Sequence, residues 1–172
     1  MKKYLILTGM ILMITSSSFA QRPWKEYLIP GSLMMISGMV EGTNEALLFH
    51  YKYGFKNRFP NASNQFWDPS ISWKNKYKNL DPSKGAAFPG STDLLVAFTD
   101  GYHMMRLTKV MLDMGTISYC VNKNYREKTK HNVFNWKTVA QDFVVLSIFR
   151  TIGFHLTYSW MFQQNPEAFK LQ

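Results

Sequence analysis

Asp100 and His103 stand three residues apart, so on a helix they share one face. A carboxylate and an imidazole in that relation can hold a metal together when neighbouring helices project further ligands inward. Glu41, Glu45, His50, Asp142 and His155 are the groups that could complete such a set. The bundle sites of this kind repeat a Glu-x-x-His motif, whereas this chain has a single Asp-x-x-His. No metal or cofactor is therefore assigned, and Asp100, His103 and His155 remain the only metal candidates. The structural alternative is that Asp100 orients His103 or caps nearby backbone. Glu41 and Glu45 form a like-charge pair at i and i+4, mildly unfavourable on an isolated helix. Arg106 or Arg150 from other helices can relieve it, and such ion pairs more often set helix register than perform catalysis. Two carboxylates can also act as acid and base on a sugar chain, but one helical turn by itself matches neither required separation well. Glu41, Glu45, Asp100 and His103 are the catalytic candidates.

Nucleophilic catalysis finds little support. Cys120 has no acid–base pattern beside it, His131 sits among lysines, and there is no Gly-x-Ser-x-Gly elbow. A basic, aromatic stretch offers binding instead: Lys74, Lys76 and Lys78 surround Trp73 and follow Trp67, with Arg106 and Arg150 as further cations. Rings and ammonium groups so mixed suit a membrane interface with anionic lipid, or form the mini-core of a loop. Phe88-Pro89-Gly90-Ser91-Thr92 reads as a turn into a helix N-terminus, which either caps the helix or meets an anion.

Three long segments must position these groups. They run from about Trp24 to Tyr53, from about Ser91 to Tyr119, and from about Trp136 to Phe162, closed by Asn165-Pro166. Methionines recur at helical spacing on the first two, as core filler or as an adaptable binding face. Between the first and second lies a connector over 54–90, rich in rings and punctuated by prolines, too long for a passive loop. A second, basic connector is expected from Val121 to Asn135. Each long helix also carries charges in its middle, which makes a soluble or interface-lying bundle the first expectation and a membrane bundle with internally paired charges the second.

The first twenty residues, MKKYLILTGMILMITSSSFA, have the layout of an export signal. Lys2 and Lys3 lead, an apolar run follows, and Ser18-Phe19-Ala20 forms the exit, so cleavage is expected after Ala20. The remainder, 21–172, is one domain's length. The whole chain carries a formal charge of +9, or +7 without Lys2 and Lys3, and its mean hydropathy is −0.21. In an exported chain that excess points to anionic lipid or polysaccharide, or to plain solubility, and not to nucleic acid. A single cysteine excludes an internal disulfide.

The segments Asn64-Gln65-Phe66-Trp67-Asp68-Pro69, Ser72-Trp73-Lys74-Asn75-Lys76-Tyr77 and Phe88-Pro89-Gly90-Ser91-Thr92, then Thr99-Asp100-Gly101-Tyr102-His103, carry a family resemblance, which extends back through Asn44–Tyr51. About a third of the chain resembles a group of short, helix-rich bacterial proteins, exported or membrane-associated, with FW-P-SW-NKY and FxGST-TDGxH segments. The resemblance implies a helical, envelope-located protein and transfers no catalytic role.

The expectation is an all-α protein: three long helices in a bundle, an aromatic-rich connector folded over one end, and a signal helix in front. Its expected place is periplasmic or membrane-associated, its partner a membrane surface or envelope component, and its action binding to an anionic lipid head group, polysaccharide or protein. The competing expectation is a small enzyme or metal-binding protein with a carboxylate/histidine site between helices.

Overall fold

The computed structural model describes residues 23–131 and 136–162, with side chains for all of these except 125–131. The expected signal segment and the Asn165-Pro166 stop lie outside the described residues, which are predominantly helical and contain no strand.

A 3₁₀ turn at Trp24–Tyr27 leads into α1, Leu28–Phe49. Pro30 falls in the first turn of α1, where its missing N–H has no intrahelical acceptor to lose. A π turn at Tyr51–Phe55 and one short turn to Arg58 prolong the helical path beyond the expected end of the segment. The second long helix departs from expectation at both ends: α2 is Gly101–His131. Its start is set by Asp100, whose Oδ1 accepts from the His103 N–H at 2.9 Å, a side-chain cap on the first turn. Ser91 does not cap a helix; its hydroxyl is buried and donates to the Lys76 carbonyl at 2.8 Å. At the other end no proline or glycine stands between Gly115 and Gly153, so the expected basic connector is helical through His131. Helix α3, Trp136–His155, continues as a π turn over Leu156–Met161.

Helix α1 lies between α2 and α3, which scarcely touch each other. It runs parallel to α3, since Tyr27 meets Asp142 near one end and Gly42 meets Thr157 near the other. It runs antiparallel to α2, where Glu26 pairs with Lys123 and Ser37 with Asp113. The α1–α3 approach is close because both backbones lack side chains at the crossing. A Cβ on Gly38 would overlap the Arg150 carbonyl, and one on Gly153 would overlap the Met35 carbonyl. Gly38 and Gly42 form a GxxxG pair, the spacing that lets apolar helices meet backbone to backbone. Across that contact the Thr157 hydroxyl donates to the Met39 carbonyl at 2.9 Å.

The connector packs over the end where α1 finishes, α2 starts and α3 finishes. Ala46, Leu47, Phe55 and Phe162 form the buried cluster there, joined by Trp67, Met105 and Tyr158. Asn75 ties the connector to the start of α2: its amide donates to the Gln65 carbonyl at 2.7 Å and to the Thr99 carbonyl at 2.8 Å. Trp67 lies over Gly101, where any Cβ would strike the indole.

Candidate functional site

The charges expected in the helix middles meet in one seam between α1 and its two neighbours. One Arg150 nitrogen donates to both Glu41 oxygens at 2.7 Å. Lys109 lies 3.9 Å from Glu41 and 2.7 Å from Asp113, and Asp113 accepts from the Ser37 hydroxyl at 2.5 Å. Glu41 thus lies between a guanidinium and an ammonium, and each cation of the seam meets a carboxylate. A small cavity of about 190 Å³ opens beside it, lined by Glu41, Ser147, Arg150, Thr151 and Phe154.

This seam contains only part of the expected site. Glu41 and Arg150 belong to it, but Glu45 has no hydrogen bond or ion pair among the described residues. Arg106 is exposed on α2 and reaches neither glutamate; Lys109, one turn further on, takes the place foreseen for it. Asp113 and Ser37 were missed. The signal that could have found Asp113 is its position four residues after Lys109, the i, i+4 spacing of a helical ion pair.

Asp100 and His103 are together, but as a cap. Asp100 is almost wholly buried, accepts from the Thr99 hydroxyl and from its own helix's first turn, and holds the His103 ring by Nδ1 at 2.8 Å. His155 is exposed on α3 with its Nδ1 against the Ser159 hydroxyl at 2.8 Å, and His50 shares a hydrogen bond with Tyr158 at 2.9 Å. Asp142 is buried at the far end of α3, accepting from the Tyr27 hydroxyl at 2.8 Å. Among the described residues no three histidines, cysteines or carboxylates gather closely enough to hold a metal.

The basic connector residues face outward. Lys74 lies over the Trp73 ring and Lys76 over the Tyr77 ring, with Lys78 exposed beside them. Trp73 is partly exposed, while Trp67 turns inward to pack on Phe55 and Phe66. Between α1, the 55–67 part of the connector, the start of α2 and the final π turn lies an apolar cavity of about 750 Å³.

The outer faces of the long helices are mostly apolar. Ile29 and Ile36 on α1, Val110, Met111, Met114 and Ile117 on α2, and Phe143, Ile148 and Ile152 on α3 are all exposed. The large aromatics Trp24 and Trp136 are exposed at one end of the molecule, and Phe49 and Trp160 towards the other. Among the described residues one helical stretch, Trp136–Met161, is long and apolar enough by itself to cross a membrane, and only 17% of its most apolar part is buried. Comparison with protein-family profiles, with curated proteins and with solved structures gives no match to this chain.

Proposed function

We propose that this chain is an integral membrane protein of the cell envelope that acts by binding, with the aromatic, basic connector as its interfacial face. The observation that carries the reading is the inverted distribution of polarity. Large apolar side chains point outward along all three long helices, while Glu41, Lys109, Asp113 and Arg150 pair with one another between them. Water would penalise an exposed apolar surface of that extent, whereas hydrocarbon tolerates it and demands that charges find internal partners. Helix α1, with 22 residues, is about 33 Å long at ~1.5 Å per residue, enough for a ~30 Å hydrocarbon core. Exposed tryptophans at both ends fit the two head-group belts. The GxxxG crossing fits the same setting, where helices associate by close packing instead of by apolar burial.

In this reading Lys74, Lys76, Lys78 and Trp73 meet anionic head groups at one surface, and the neutralised charge seam fixes how the helices register. Mutual pairing of the seam's charges supports that role over acid–base catalysis. Fractionation tests the proposal: the protein stays in the membrane pellet through an alkaline carbonate wash and leaves it only with detergent. Release into the aqueous fraction as a monodisperse species without detergent would overturn it.

A further inference from the structure

The cavity of about 750 Å³ bordered by the connector lies apart from the charge seam and the basic surface, and its size is within the ~300–1,000 Å³ typical of small-molecule sites. Its walls come from four separate stretches of chain, one of them the first turns of α2 through Met105. Val40 and Met39 belong to α1, Phe59 and Trp67 to the connector, and Met161 to the final π turn. Such walls are soft and apolar, and the methionines adapt to the outline of a flexible guest. One permanent charge lines this apolar space: Arg58. Arg58 is exposed and, among the described residues, has no carboxylate partner, unlike Arg150 in the charge seam. Next to it, Lys56 donates to the Ala62 carbonyl and so fastens the rim residues 56–62 into one loop. An apolar chamber with an unpaired guanidinium at its lining matches a ligand with a hydrocarbon body and an anionic head.

We infer that this cavity takes one acyl chain of an anionic phospholipid from the surrounding membrane, with its phosphate on Arg58. The assignment deepens the membrane reading, which supplies the ligand, and commits to a lipid already beside the protein. Arg58 would hold the phosphate by charge-assisted hydrogen bonds, while the chain lies against Val40, Phe59 and Trp67. A zwitterionic lipid offers the same chain with a weaker claim on the guanidinium.

Trp67 supplies the readout, because bromine on an acyl chain quenches an indole only at contact. The full chain in an unbrominated, non-ionic detergent is titrated with phosphatidylglycerol carrying brominated chains. The inference expects saturable quenching that disappears in Trp67→Phe, and an affinity about tenfold lower in Arg58→Gln, the loss of one charge-assisted contact. Brominated phosphatidylcholine should bind more weakly to the native chain and be indifferent to Arg58→Gln. Val40→Phe should reduce the saturable quenching by occupying the chamber, with far-UV circular dichroism confirming that the variant is folded. Quenching that rises without saturation, or persists unchanged in Trp67→Phe, would overturn the cavity assignment. Equal binding of both lipids with no effect of Arg58→Gln would overturn the anionic head group, and saturation by brominated stearate but not by phosphatidylglycerol would overturn the phospholipid. Failure of the membrane reading is separately visible, since a protein released by carbonate can still be titrated and a membrane-bound one can still lack the site.

Discussion

Substituting Gly38 by alanine tests the central contact of the fold. In an ordinary helix the change stabilises, because alanine gains about 1 kcal/mol over glycine. Here the added Cβ would overlap the Arg150 carbonyl and approach the Phe154 nitrogen to 2.9 Å. Carbon contacts settle near ~3.5–4.0 Å, so α1 and α3 must separate by about an ångström. The obstacle is backbone, which cannot rotate away as a side-chain tip does, and overpacking of that kind costs about 3 kcal/mol. Separation also strains the Thr157–Met39 and Arg150–Glu41 bonds that flank the crossing, each worth about 1 kcal/mol. The balance is a destabilisation of about 3–4 kcal/mol after the propensity gain is subtracted. Gly115 gives the matched control, since nothing lies within 4 Å of a Cβ there. Gly115→Ala should stabilise by about 0.5–1 kcal/mol through the same propensity term. Denaturant unfolding of both variants in one detergent, followed by far-UV circular dichroism, reads the difference directly. If Gly38→Ala matches or exceeds native stability, as Gly115→Ala should, the backbone-to-backbone crossing does not exist and the reasoning fails.

The remaining predictions concern charges and caps. Asp100→Ala removes the cap of α2 and leaves the first-turn N–H of His103 without its acceptor, while the Thr99 hydroxyl keeps the Val96 carbonyl at 2.7 Å, so it should cost about 1–2 kcal/mol in a thermal or denaturant melt, with Asp100→Asn milder because an oxygen still accepts from the His103 N–H. A melt of Asp100→Ala indistinguishable from the native one would remove the cap from the account. In the charge seam, a double-mutant cycle of Glu41→Gln and Arg150→Met should give a coupling of about 1–2 kcal/mol, a modest figure because both side chains remain part-exposed. A coupling near zero would mean that the pair does not register α1 against α3. On the connector, the Ser83 hydroxyl and then its backbone N–H donate to the Asp81 carboxylate, which holds that carboxyl below its ordinary 3.8. A depressed folded value means that the turn's stabilisation is complete above the unfolded pKa and is lost as pH falls through the folded one. Ser83→Ala should raise the Asp81 value towards 3.8 in a carboxyl-carbon NMR titration, and an unchanged titration would show that the hydroxyl contributes nothing.

The helical class, the three long helical segments and the packing of the connector were legible in the amino-acid sequence. Local physics suffices for these: periodic Leu, Met, Ile and Phe over twenty residues make a helix wherever they later pack, and a stretch so rich in rings gains by packing several of them, as Phe55 and Trp67 do, even though Phe59, Trp73 and Phe88 stay exposed. It also supplied the alternative reading of Asp100 as a cap, because an N-cap needs only its own next turn. The start of α2 was misplaced for the opposite reason. Ser91 has the right chemistry for a cap, but its hydroxyl goes instead to the Lys76 carbonyl fifteen residues earlier, a partner that no local window contains. Membership of the charge seam was likewise a tertiary decision. Arg106 and Lys109 lie on the same helix, and only the antiparallel register of α2 against α1 selects Lys109 for Glu41 and leaves Arg106 at the surface. Arg58 and Trp67 read in sequence as one more cation and one more ring. They line one cavity because the middle of α1, the connector, the start of α2 and the π turn of α3 converge there, and convergence of distant segments is a property of packing, not of spacing along the chain.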